Sequence, residues 1–356
     1  MNNYFCVLPF FGYEFSSGSK GKHCCLLPKH YNINNVRSDI LSQKRSSFCS
    51  ACWKLEDAGL ISDRKLKNSA LDFYWNRDIR FIEEDVRNGK YQTLMVKSVT
   101  SNTCNSTCVT CGSGPSSAWA PLERKLNIIP RTSTSITKEK IDNELNLKNL
   151  ITINFVGGEP LYEKLNFYIL EKLIEYNNTN CFITFTTNGS VDLDQNKKDL
   201  LKKFKNVSFN ISIDGLGPVF EYMRFPLKWD KLLENLEFFR TITDNNSVSH
   251  TTSNLNVLYH HETVEWFKKE NLNYHFNPVI NPSHFRPSAL PRTVKEYIFK
   301  KFGHTKDLEF FIGSPHTDQD DKDFYTMLDR ISLQDQVKNI SIKNYLPELA
   351  DLIDFL

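Results

Sequence analysis

The chain has 356 residues, 40% of them hydrophobic and 13% aromatic, and a formal net charge of +2. That length and apolar content suffice for one large domain with an appendage, or for two domains, and argue against disorder. The balanced charge lacks the basic excess of a nucleic-acid-binding protein, and no stretch reaches the roughly 20 apolar residues that span a bilayer. The opening MNNYFCVLPFFGYEF has no basic n-region and is interrupted by Pro9 and Glu14, so it does not read as a signal peptide; the expected location is cytoplasmic.

In chain order, residues 1–90 read as loop-rich, with a helix and its exit over 54–67. Residues 93–99 (TLMVKSV) form the first predicted strand. A helix over 138–147 precedes the near-continuous apolar strand 151–156, a pattern expected of a strand buried on both faces. An amphipathic helix over 161–176 follows, with Leu, Phe and Ile at helical spacing. Strands are expected at 181–186, 207–213, 251–258 and 274–280, separated by helices over 194–204, 229–241 and 262–270. Six strands alternating with helices predict parallel β/α units wound by right-handed crossovers, with chemistry at the carboxyl ends of the strands. From about residue 293 the pattern turns helical and charged, with helices expected over 308–312, 321–331 and 346–356.

The nine cysteines are unevenly placed. Cys6, Cys24, Cys25, Cys49 and Cys52 precede the strand array, Cys104, Cys108 and Cys111 lie on one loop, and Cys181 stands alone as a core thiol. In a reducing compartment such clusters indicate metal or catalysis rather than disulfides. Cys104-Asn-Ser-Thr-Cys108-Val-Thr-Cys111, spaced C-x3-C-x2-C, directly follows the first predicted strand. Three thiolates on one loop can hold a 4Fe–4S cluster and leave its fourth iron open to a small molecule. A structural zinc site would want a fourth ligand, and no Cys or His follows closely.

Further motifs close the later strands: Gly157-Gly158-Glu159-Pro160, Thr187-Asn188-Gly189 and Ser212-Ile213-Asp214-Gly215. Together with the cysteine triplet, these resemble the radical S-adenosylmethionine (SAM) superfamily over roughly residues 93–282. The resemblance implies an α/β fold, a partial (β/α)6 barrel over residues 91–292, with a small cysteine-cluster domain over 1–90 and a helical extension over 293–356. It implies a catalytic 4Fe–4S cluster on Cys104, Cys108 and Cys111, and SAM contacts from Gly157, Gly158 and Glu159. Ser212 is expected near the SAM carboxylate or ribose, Arg224 as a fork for the carboxylate, and Asn188 and Asn256 around the ribose.

The first 90 residues also resemble the twitch type of auxiliary-cluster domain, a shortened relative of the SPASM domain. That resemblance implies a second 4Fe–4S cluster on Cys6, Cys24, Cys49 and Cys52, with Cys25 competing with Cys24. Zinc is the alternative, because Cys49-x2-Cys52 is also half of a zinc knuckle and four thiolates suit tetrahedral zinc.

The implied function is reductive cleavage of SAM to a 5′-deoxyadenosyl radical, which takes a hydrogen atom from a substrate, supported by a flavodoxin- or ferredoxin-type reductant. A peptide or protein side chain is one substrate class and a small molecule (nucleotide, sugar or amino-acid derivative) the alternative. From another class stands a zinc-stabilised binding module without catalysis.

Overall fold

The computed structural model describes residues 4–354 apart from 18–20, 25, 29, 58, 60 and 133. Cys25 therefore lies outside the described residues. Among the described residues, seven strands form one sheet in sequence order: β1 (Gly12–Phe15), β2 (Met95–Val99), β3 (Thr152–Val156), β4 (Phe182–Thr187), β5 (Asn206–Ser212), β6 (Ser247–Thr252) and β7 (Asn273–Pro278). Every neighbouring pair is parallel, and no described pairing joins β7 to β1, so the sheet is open. The α/β class and the partial-barrel order agree with the sequence reading.

Four expectations need correction. The array has seven strands, not six, because GYEF near the amino terminus pairs with β2, Gly12 opposite Met95. The first 90 residues are helical as well as looped, with helices Ile33–Leu41, Ser50–Asp57, Asp63–Trp75 and Ile79–Arg87. β6 begins at Ser247 and ends at Thr252, earlier than the expected 251–258, which instead spans the strand's end and the turn after it.

The strand at 152–156 is not buried on both faces. Ile153 and Phe155 are buried against the covering helices, while Thr152, Asn154 and Val156 on the other face are only partly covered. The same alternation runs through β4 and β5. It leaves Lys97, Asn154, Thr184, Thr186, Ser208 and Asn210 on the less buried face, the face that period-two geometry sets opposite the helix layer.

The outer layer is built from helices with local caps. Glu163 receives the Leu165 amide, Asp194 the Lys197 amide and Asp78 the Arg80 amide, each satisfying an orphan first-turn donor. Phe155, Phe185, Phe209 and Phe239 stack in sequence between sheet and helices. A second core joins helices Pro218–Met223, Arg292–Phe302, Lys306–Ile312 and Asp318–Lys338. The last begins at a Thr317/Asp320 capping box and stops at left-handed Asn339. A third core, around Phe5, Phe11, Val36, Ile40 and Ile82, fastens the amino-terminal segment to Leu94 and Met95 at the head of β2. No helix among the described residues is long and apolar enough to cross a membrane.

Candidate active site

The loop after β2 carries the cysteine triplet at the carboxyl end of the sheet. It is fixed mostly by its own short polar side chains. The Asn102 amide donates to the Ser113 carbonyl at 3.0 Å and its oxygen receives the Thr134 amide at 3.1 Å. The Ser117 hydroxyl accepts from the Cys104 amide, and the Ser116 hydroxyl donates to the Ser106 carbonyl at 2.6 Å. The Ser106 hydroxyl stands between two thiols, 3.3 Å from Cys104 Sγ and 3.4 Å from Cys108 Sγ. The indole of Trp119 donates to the Cys108 carbonyl at 3.1 Å.

Cys104, Cys108 and Cys111 line one cavity of about 190 Å³ with Gly157, Gly158, Asn188, Ser212 and Arg224. The expected site residues from four different strand ends thus converge. Among the described residues no group of Cys, His, Asp or Glu is arranged to hold a single metal ion. The three thiols border one volume. Cys108 is drawn down to about 6, chiefly by a hydrogen bond from the Cys111 thiol and then by the Arg224 guanidinium. Cys111, on the donating side, is pushed up, and burial raises Cys104. Arg224 lies 3.9 Å from Cys108 Sγ, pairs with Asp214 at 2.8 Å, and keeps a buried Nε with no hydrogen-bond partner. Thiolates beside an unspent guanidinium donor fit an anionic thiolate-bound cluster and a carboxylate-bearing ligand next to it.

The glycine pair packs against the cysteine loop. Gly157 adopts φ +120°, and a Cβ there would meet the Ser101 carbonyl at 2.6 Å. A Cβ at Gly158 would overlap the Thr103 carbonyl. The Gly158 amide donates to Ser101 and the Glu159 amide to Thr103, at 3.2 and 2.7 Å. The two glycines therefore let the cysteine loop lie directly on the end of β3.

Glu159 and Asn256 are not among the residues lining the cysteine cavity. Glu159 is 1% exposed; its carboxylate accepts from Thr187 Oγ1 at 2.7 Å, the Asn188 amide at 2.7 Å and the Leu161 amide at 3.0 Å. It ties the β3 motif to the β4 motif, and burial pushes its carboxyl up to about 7. Asn256 donates to the carbonyls of Asp214 and Thr251 and accepts from the Ser253 amide, bracing the turn after β5. Asn188 does line the cavity and reaches the cysteine loop through Asn105 at 2.8 Å.

At the amino-terminal site, Cys6, Cys24, Cys49 and Cys52 all line one small cavity of about 20 Å³, walled by Leu8, Ile40 and Phe48 and by Arg64. Cys181, as expected, is buried in the core. Arg64 forms a two-point pair with Glu56, at 2.6 and 2.9 Å, and donates to the Phe5 carbonyl beside Cys6. Burial pushes Cys49 up to about 11 and raises Cys6 and Cys52.

Residues 98–270 match the family model of the Radical SAM superfamily. An uncharacterized protein of Methanocaldococcus jannaschii is 35% identical over 118 residues, 32% of this chain and 36% of the relative. The match thus spans about a third of that relative's length. Among solved structures, anSMEcpe with bound AdoMet is similar at TM-score 0.42 and 19% identity, covering 58% of this chain and 57% of that one. Streptococcus suis SuiB bound to S-adenosylmethionine is similar at TM-score 0.40 and 14% identity, covering 76% and 64%. Over residues 98–270 the chain is thus similar to the Radical SAM superfamily.

Proposed function

We propose that the protein cleaves SAM reductively and uses the resulting radical to take a hydrogen atom from a polar substrate, a peptide or protein side chain. The single observation that carries this reading is the convergence of Cys104, Cys108, Cys111, Gly158, Asn188, Ser212 and Arg224 on one cavity. A 4Fe–4S cluster held there would, once reduced by a flavodoxin- or ferredoxin-type donor, supply the electron that splits SAM into methionine and a 5′-deoxyadenosyl radical.

The chain's own residues bind and orient. The cysteine thiolates would hold the cluster, with Ser106 hydrogen-bonded to two of them. Arg224 offers its free Nε to the SAM carboxylate while Asp214 fixes the guanidinium plane. Gly157 and Gly158 expose backbone beside the SAM amino group, Asn188 and Ser212 face the ribose, and Glu159 and Asn256 hold those loops in register. Hydroxyl and amide side chains on the less buried face of β3 to β5 favour a substrate rich in hydrogen-bonding groups.

The amino-terminal cysteines belong in this reading to a second 4Fe–4S cluster, in a twitch-like unit over residues 1–90. Support comes from the gathering of all four predicted thiols on one cavity. Protein reconstituted without oxygen should carry about eight irons per chain. Cys104→Ala should abolish SAM cleavage. Replacing Cys49 and Cys52 by Ala should drop iron to about four while cleavage persists. Zinc in place of the second four irons would reduce the amino-terminal site to a structural one. Full SAM cleavage by Cys104→Ala would sink the assignment of the catalytic site.

A further inference from the structure

The helix Asp318–Lys338 lies beyond the family-matched segment, yet its last turns reach the cysteine loop. Lys338 is 8% exposed, and its ammonium donates to the Thr107 carbonyl at 2.8 Å and to Gln334 Oε1 at 3.1 Å. Gln334 in turn donates to the Val109 carbonyl at 3.1 Å. The Lys338 ammonium also sits 4.5 Å from the centroid of Trp119, whose indole holds the Cys108 carbonyl, and 5.7 Å from that of Phe225. One turn earlier, Asp335 accepts from Tyr222 at 3.0 Å. Val109, between two of the cysteines, is 1% exposed and packs in the carboxyl-terminal core with Met327, Ile331 and Leu346 rather than in the sheet core.

Residues on both sides of Cys108 are thus held by a segment more than 220 positions away. The arrangement has two consequences. A loop whose amides pair with Met223 and Phe225 on one side and whose carbonyls are capped from the other cannot shift without breaking several buried hydrogen bonds. A buried ammonium bonded to the carbonyl of Thr107, the residue before Cys108, also favours negative charge on the neighbouring thiols, in surroundings where solvent screens little.

We infer that Lys338 and Gln334 are positioning residues for the catalytic loop, and that the Lys338 charge makes a cluster bound to Cys104, Cys108 and Cys111 easier to reduce. The second half rests on the reading of this loop as cluster-binding; the first half does not, and the two are tested separately.

The first measurement is hydrogen exchange by mass spectrometry on full-length apoprotein. Lys338→Met and Gln334→Leu should each speed exchange at residues 107–111 by about tenfold, leaving β3 to β5 unchanged. Wild-type protection of 107–111 in Gln334→Leu would overturn the positioning role, and that variant decides the matter if Lys338→Met does not fold. The second is an EPR-monitored redox titration of reconstituted protein. Lys338→Met should lower the midpoint by an amount equal to about tenfold in the reduction equilibrium, about 59 mV for one electron. Lys338→Arg, which keeps the charge, should restore the wild-type value. An unshifted Lys338→Met, or Lys338→Arg and Lys338→Met shifted alike, would overturn the electrostatic role. Should Lys338→Met not hold iron, loading and a wild-type midpoint in Lys338→Arg would support that role, and failure of both to load would overturn it.

Discussion

Gly158→Ala tests the contact on which the site's geometry depends. A Cβ at this position would lie 2.5 Å from the Thr103 carbonyl carbon and 2.7 Å from that of Asn102. Ordinary carbon–carbon contact is about 3.5–4.0 Å, so the cysteine loop would have to retreat by about 1 Å, and the atoms in the way are backbone. Such a retreat stretches the bonds from Gly158 to Ser101 and from Glu159 to Thr103, now 3.2 and 2.7 Å, beyond useful length. Losing two net hydrogen bonds costs about 1–3 kcal/mol, and overpacking costs a similar amount. A total near 3 kcal/mol should lower the apoprotein melting temperature by about 4 °C. Iron retained after anaerobic reconstitution should fall in parallel, because the three thiols no longer border one volume. Thermal scanning and iron analysis read both effects. A Gly158→Ala protein with wild-type melting and full iron would refute the claim that the loop rests on this glycine.

Glu159→Gln should flatten the pH dependence of apoprotein stability. A carboxyl raised from 4.5 to about 7 binds its proton more tightly when folded. Its contribution is present below pH 4.5 and is lost as pH rises through about 7, a swing on the order of 3 kcal/mol. Urea midpoints at both ends of that window check the sign, and an unchanged slope in the variant would count against it. Asn256→Ala should destabilise the fold by about 3 kcal/mol, because it strands two carbonyls and a buried amide; a purely SAM-binding role would leave the urea midpoint where it is. Arg224→Gln should move the pH midpoint for alkylation of Cys108 in apoprotein upward from about 6, and an unmoved midpoint would show that the guanidinium does not support that thiolate.

Much of this architecture is legible in the sequence, for identifiable reasons. β2 to β5 are short apolar or alternating segments, each followed by a motif rich in glycine or small polar residues, and both signals are local. β6 was harder, because SVSHTT carries polar residues even on its buried face, where His250 and Thr252 sit. β1 is four residues long and gains its identity only by pairing with a strand some 80 positions away. Helix Ile79–Arg87 could have been found from Asp78 at its cap and from Ile79, Ile82 and Val86 on one face.

At the site, residue types are readable in the sequence and their neighbours are not. Nothing local shows that Glu159 bonds to Thr187 and Asn188, since those contacts depend on how β3 and β4 lie side by side. The glycine pair was legible as a place of close approach, but not which neighbour approaches. The contacts of Lys338 and Gln334 have no sequence signal, because their partners are backbone carbonyls on a distant loop.

The most direct test of the central claim is product analysis of anaerobically reconstituted protein given SAM and dithionite. The account predicts 5′-deoxyadenosine and methionine from the wild-type chain, and none from Cys104→Ala. Well-folded protein that takes up no iron and forms no 5′-deoxyadenosine would contradict it and leave the zinc-stabilised binding module as the better description.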